Sequence, residues 1–297
     1  MVHRSFVGGI MATVLLIRHA DRYDYAVAQA AWKKRCAEVG PLRPSDPPLS
    51  ALGHRQARAL AAHLSSRRLD AIFVSPYLRA LQTAQPLAHA TGLPLLVDPT
   101  FSEAHQYPRE LPPLAQRLPY FPEIDETYAP MLPSVVTEGA DGVEPHRESR
   151  LEHMRRMIFA ARRLRGPRFA GKTVAIVTHA ASVGLIAALR AEAEGGATLE
   201  AAGKLAPCGV YELRLAPDGT LAVEGRGDDT SSYTSGLPVG PTSAWGFASS
   251  KEPLESSERT WQEALRLGPT DPADVRPVSP VRVDDEEVGD VYEPESV

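Results

Sequence analysis

Two cysteines, Cys36 and Cys208, stand among 297 residues. That number excludes a disulfide scaffold and a cysteine-rich metal site, and reduced thiols in a cytosolic protein are the simpler reading. No apolar run reaches the roughly 18 residues that a bilayer-spanning helix needs. The segment Phe6–Ile17, preceded by His3 and Arg4, superficially resembles a short signal peptide. It is too short to cross a bilayer and runs directly into Arg18-His19, so a cytoplasmic location is expected. Met11 offers an alternative start. The nine histidines include no His-Glu-x-x-His run and no tight ligand cluster, so neither a metal nor a cofactor is expected. An excess of positive charge is missing too. The net charge is −5, and Asp271–Val297 alone has nine acids against two arginines, a net of −7, which leaves +2 for the rest. A nearly neutral body gives no electrostatic case for nucleic acid or a membrane surface as partner.

What the sequence does contain is alternation. Thr13–Ile17 (TVLLI) is a short, continuous apolar strand of the kind buried on both faces of a parallel sheet. Tyr25–Val39 is a helix candidate, followed by a proline-broken stretch. A clear helical pattern runs from Ser50 to Leu64, with Ala57, Leu60, Ala61 and Leu64 on one side. Asp70–Ser75 reads as a second strand, Tyr77–His89 as a helix and Leu93–Val97 as a third strand. Residues 104–148 lack periodicity and form an excursion. Ser149 and Glu152 have capping-box spacing before a helix to Leu164. Thr173–Thr178 is the clearest parallel strand, with a helix over Ala181–Ala193 after it. Gly209–Leu215 and Leu221–Glu224 suit a late hairpin. The pattern predicts a three-layer α/β/α sandwich around a mostly parallel sheet. It places one domain over 1–248, including the excursion, and a flexible, proline-containing acidic tail over 249–297. Trp245 and Phe247 are candidates to dock on the body.

Three of the strands end in chemically similar ways. The first gives Arg18-His19-Ala20-Asp21-Arg22, the second Ser75-Pro76-Tyr77-Leu78-Arg79, and the Thr173 strand gives Thr178-His179-Ala180. Ligands bind outside the carboxyl ends of parallel strands, so three arginines and two histidines converge there on an anion. Taken singly each has an ordinary reading: a hydrogen-bonded loop histidine, or an arginine paired on a helix surface.

Together they resemble the histidine phosphatase superfamily, also called the phosphoglycerate mutase-like family. Its Arg-His-Gly opening stands here as Arg18-His19-Ala20. Leu49-Ser50 with Gly53, Gln56 and Ala57 resembles the stretch before its first long helix. Ser75–Ala84 is similar to its most specific internal motif, and Thr178-His179-Ala180 to its second histidine motif. The resemblance covers residues 13–224. Arg22, Val177–Ser182 and Gly240-Pro241-Thr242 further resemble the TULA or Sts phosphatase domains and their insect steroid-phosphate relatives. Two departures stand out. Ala20 replaces a glycine, and Asp21-Arg22-Tyr23 differs from the Asn-bearing continuation of the mutases and fructose-bisphosphatases.

The resemblance implies a metal-independent phosphomonoester hydrolase. His19 attacks phosphorus with one ring nitrogen while a backbone carbonyl fixes the other. Arg18, Arg22, Arg79 and His179 bind the transferring oxygens. Glu103 is the expected proton donor, with Glu110 as the alternative, and His105 is a candidate substrate contact. Tyr107, Tyr120, Phe121 and Tyr128 either line a leaving-group pocket or pack the excursion locally. Substrates are phosphate monoesters, either small molecules or phosphoproteins. Phosphotyrosine and other aryl or steroid phosphates come first. A small-metabolite phosphatase, a mutase and an inactive phosphate-binding module stay open, as does a homodimer.

Overall fold

The computed structural model describes residues 11–27, 29–38, 43–104, 111, 114–132, 148–216, 218–234, 236–239, 243–244 and 254–271. In chain order the elements are β1 (Ala12–Arg18), α1 (Tyr23–Ala26), α2 (Gln29–Glu38), α3 (Ala51–Leu64), β2 (Ala71–Val74), α4 (Leu78–Thr91), β3 (Leu95–Val97), α5 (Arg150–Leu164), β4 (Thr173–Thr178) and α6 (Ser182–Glu194). They continue with β5 (Lys204–Leu205), β6 (Val210–Leu215), β7 (Leu221–Arg226), α7 (Ser231–Thr234), β8 (Ser243–Ala244) and α8 (Leu254–Leu267).

Six strands form the central sheet in the order β3-β2-β4-β1-β6-β7. The first four are parallel and the late hairpin β6–β7 is antiparallel, as the alternation predicts. Strand β4 lies between β1 and β2, although it comes long after both in the chain, at Thr173–Thr178 against Ala12–Arg18 and Ala71–Val74. This crossover puts the ends of β1, β4 and β2 side by side.

Alternate residues of β1 supply two cores, because side chains alternate across a strand. Leu15 and Ile17 pack with α3 and α4, whereas Val14 and Leu16 pack with α5 and α6. These layers flank the sheet and complete the sandwich. Helix α4 tolerates Pro86 in its interior and ends on Gly92, whose φ of 70° suits a left-handed cap. The capping box at Ser149 and Glu152 is formed in both directions.

Two expectations need correction. The helix foreseen over Tyr25–Val39 is divided, with Val27 extended between α1 and α2. The tail beginning at 249 is not wholly loose, because α8 packs on α5. Trp261 and Ala264 are fully buried there. The Trp261 indole donates to the Ala197 carbonyl at 2.9 Å, and Arg155 on α5 donates to the carbonyls of Gly268 and Pro269 at 3.0 Å. Ser257, Trp261 and Ala264 follow one face of α8 at helical spacing, and the charges around them make the segment resemble a loose acidic tail by composition. Residues 272–297, Trp245, Phe247 and Gly240–Thr242 lie outside the described residues.

Candidate active site

The turn after β1 is pinned along its backbone, and the anchors come from far along the chain. Arg18 N–H donates to the Gly209 carbonyl at 3.2 Å and His19 N–H to the Thr178 carbonyl at 2.8 Å. Ala20 N–H donates to Thr83 Oγ1 at 3.0 Å and Asp21 N–H to Gln56 Oε1 at 2.9 Å. Ser50 caps α3 through Gly53 N–H and donates its hydroxyl to Asp21 Oδ2 at 2.6 Å. Gly53 is required by this close approach, since a Cβ there would stand 2.1 Å from the Asp21 carbonyl oxygen. Thus the Ser50–Ala57 motif and the Ser75–Ala84 motif both support the β1 turn. Ala20 is fully buried and belongs to the core beneath α3 and α4.

His19 is 2% exposed, and its Nδ1 lies 2.8 Å from the Ala20 carbonyl oxygen. A carbonyl only accepts, so Nδ1 carries the proton and Nε2 keeps its lone pair. Burial is the main reason that the imidazole pKa falls well below its usual value, and the positive charges of Arg79, Arg18 and Arg22 lower it further. The ring is therefore neutral and nucleophilic at neutral pH.

The three arginines are held differently. Arg79 is 2% exposed, stacks over the Tyr77 ring at 4.4 Å, and pairs with Asp46 at 3.8 Å. Its Nε is buried and has no hydrogen-bond partner among the described residues. Asp46 also pairs with Arg117 and accepts from Leu78 N–H at the start of α4. Arg22 forms a two-pronged pair with Asp24, and Arg18 donates to the Leu205 carbonyl at 2.8 Å. Cys208, beside Arg18, has a φ of 60°, and Gly209 follows where a Cβ would meet the Gly227 carbonyl oxygen at 1.9 Å. This tight turn returns the chain to the end of β1.

His179 stands beside His19, with ring centroids 5.3 Å apart. Its Nε2 is 2.7 Å from Ser75 Oγ, and Tyr77 meets the ring edge-on at 4.9 Å. Nδ1 faces Glu103, 3.8 Å from Oε2. Glu103 is partly open, its side chain 28% exposed. Arg18, His19 and Arg22, then Arg79, and then His179 thus stand at or follow the ends of β1, β2 and β4 respectively. The charges of the three arginines reach His19, and Glu103, which follows β3, faces His179.

Other candidates separate from this group. His105, Tyr107 and Glu110 lie outside the described residues. Phe121 is buried in the α4-side core, and Tyr128 packs on Phe73 while donating to Asp98 at 2.6 Å. Tyr120 is 37% exposed. For Phe121 and Tyr128 the local-packing alternative holds. Among the described residues, no group of three or more His, Cys, Asp or Glu is placed to hold a metal ion.

Sequence reasoning overlooked Asp46 and Arg156. Asp46 sits in an aperiodic proline-rich stretch that carries no signal. Arg156 was detectable, because it falls on the buried stripe of α5 with His153, Met157 and Ala160. A charged residue in register with a core stripe needs partners, and it has them.

A model of the histidine phosphatase superfamily (branch 1) matches residues 14–226. The chain belongs to that superfamily. It is 32% identical over 147 residues to a probable phosphoglycerate mutase, GpmB, of Yersinia enterocolitica, a match covering 50% of this chain and 60% of that protein. It is 27% identical over 186 residues to an uncharacterized phosphatase, PhoE, of Bacillus subtilis, covering 63% and 79%. Among solved structures, a mycobacterial glucosyl-3-phosphoglycerate phosphatase is similar with a TM-score of 0.45 and 22% identity, over 74% of this chain and 100% of that one. Among the described residues no helix is long and apolar enough to cross a membrane.

Proposed function

We propose that this protein is a metal-independent phosphomonoesterase that works through a phosphohistidine on His19. The observation that carries the reading is the tautomer of His19. Its proton is tied to the Ala20 carbonyl, so Nε2 is free and uncharged inside a cationic pocket.

Nε2 attacks phosphorus and the ester P–O bond breaks in line with it. Charge on the three equatorial oxygens meets Arg18, Arg22, Arg79 and His179. Glu103 gives its proton to the departing oxygen, then takes one from the water that hydrolyses the phosphohistidine. Inorganic phosphate leaves and the neutral imidazole is restored. His179 is oriented for its part by Ser75 and Tyr77.

The preferred substrates are aryl or steroid phosphates, including phosphotyrosine. The support is the likeness of Arg22 and Val177–Ser182 to the TULA or Sts branch. A small-metabolite phosphatase is the second reading; of the relatives' names, one is a phosphatase of unstated substrate and the other a probable mutase. The Asp21-Arg22-Tyr23 continuation weighs against a mutase. An inactive phosphate-binding module is less well supported, because its one sequence argument is the single methyl of Ala20, and Nε2 of the neighbouring His19 stays available.

The test is rapid denaturation at alkaline pH, which preserves phosphohistidine, followed by intact-protein mass measurement. Wild type is expected to show a phosphate adduct and metal-free turnover of aryl phosphates, and His19→Ala to show neither. An adduct of normal yield in His19→Ala would refute the assignment. Phosphate moved within a sugar acid, rather than released, would point to a mutase.

A further inference from the structure

Glu103 is not attached to the rigid strand ends as His19 and His179 are. It follows β3 by a one-turn helix at Pro99–Phe101, and the backbone carbonyls of this link need partners. Three of them point at one residue. Arg156, in the middle of α5, donates Nη1 to the carbonyls of Thr100 and Ser102 at 2.9 Å each, and Nη2 to the carbonyl of Glu103 at 3.1 Å. Its other edge forms a two-pronged pair with Glu148, both contacts 2.7 Å. Arg156 is 1% exposed. Thr178, next to His179, closes the remaining position by donating Oγ1 to the Phe101 carbonyl at 2.6 Å.

We propose that Arg156 is a positioning residue for the proton donor, setting the height of the Glu103 carboxyl over the phosphoryl site. A planar fork reaches three carbonyls and one carboxylate at once. A lysine ammonium cannot, so this site needs arginine specifically. Glu148 keeps the fork oriented from the far side. Among the described residues the hydrogen bonds and ion pairs of Arg156 go to Thr100, Ser102, Glu103 and Glu148, not to His19 or the arginines of the cradle, so its influence on the reaction runs through the Glu103 backbone. The inference rests on the reading of Glu103 as the donor.

The experiment measures single-turnover phosphoenzyme formation with an alkyl phosphate and with nitrophenyl phosphate. An alkoxide needs the donated proton, whereas nitrophenolate leaves readily without it. The proteins are wild type, Arg156→Lys, Glu103→Gln and the double variant. For Arg156→Lys the alkyl rate is expected to fall by roughly 10- to 100-fold, the scale of a misplacement of about 1 Å, with nitrophenyl within about twofold. In the Glu103→Gln background the same change should add almost nothing, because both variants remove one function. Equal losses for both esters would make Arg156 a general structural residue and overturn the proposal, as would unchanged rates for both. If Glu103→Gln itself fails to discriminate the esters, the donor reading falls and this inference falls with it. If Arg156→Lys melts too early to assay, Glu148→Gln serves instead. It keeps arginine but loosens the fork, and must show the same selective loss for the proposal to survive.

Discussion

The two sides of this site are built in opposite ways. On the side proposed to attack, His19 sits in a turn whose successive N–H groups each reach a partner, and its ring is locked to a neighbouring carbonyl. On the side proposed to donate, Glu103 is partly exposed, and its segment is fastened through side chains of α5 and β4. A nucleophile must keep one tautomer and one direction, so backbone anchorage suits it. A proton donor must serve two steps and face water in the second, so it benefits from an open position held at one end. In the proposed mechanism the difference also separates the residues that bind the phosphoryl group from the one that selects leaving groups.

The strongest way to break that contrast is through Arg79. Arg79→Ala removes a desolvated charge and leaves buried Asp46 with one cation fewer. It should cost about 2–5 kcal/mol in kcat/KM. The loss should be the same for alkyl and aryl esters, because the transferring oxygens are common to both. Kinetics near wild type would remove Arg79 from the cradle.

Glu103→Gln sharpens the comparison from the other side. Phosphoenzyme formation from alkyl phosphates should fall by roughly 100-fold, the lower range for a general acid. Nitrophenyl phosphate should react almost normally in that step, although hydrolysis of the intermediate slows. The measurement must therefore be single-turnover. A uniform loss would place Glu103 with the oxygen binders and erase the distinction.

A third variant probes the support behind α5. Trp261→Phe deletes the indole donor to Ala197 and leaves that carbonyl without its partner. Thermal or denaturant unfolding should register about 1–3 kcal/mol of lost stability. The nitrophenyl phosphorylation rate should hold while the protein remains folded, since the attacking side is anchored elsewhere. A stability equal to wild type would mean that α8 contributes little to the body.

Smaller still is a pH effect belonging to the attacking side alone. The folded-state pKa of His19 lies below 6.5, its value in an ordinary environment. Below that pH the unfolded chain binds a proton at this position before the native state does. Stability from this group is therefore lost as pH falls from about 6.5 toward the depressed pKa, and it is complete above that window. His19→Asn should flatten the decline in melting temperature between about pH 7 and pH 5 relative to wild type. An unchanged slope would show that the imidazole is not held neutral. The smallest effect is expected from truncation after Asp271. Melting temperature and turnover should both stay close to wild type, because α8 and its contacts with Arg155 remain. A marked drop in melting temperature would extend the packed body beyond that point.

Much of this architecture was legible in order along the chain. Apolar runs such as Thr13–Ile17 and Thr173–Thr178 declare buried strands by composition alone. Ser149 with Glu152 declares a helix start through hydrogen bonds three residues apart. The motif residues His19, Arg79 and His179 were readable because each closes such a strand or opens the helix after it. All of these signals are local, and local backbone chemistry generates them. The helix α8 carries a signal of the same local kind, with Ser257, Trp261 and Ala264 buried at helical spacing, but it stands in a segment whose charge and prolines suggest a loose tail. What only the tertiary structure decided are the meetings across distance. Insertion of β4 between β1 and β2 brings His179 to His19. Asp46 reaches Arg79 and Arg117 from an aperiodic stretch, and Arg156 gathers the carbonyls of Thr100, Ser102 and Glu103. Such contacts depend on strand order and on which face of a helix is turned inward, and no periodicity within one segment encodes the partner in another.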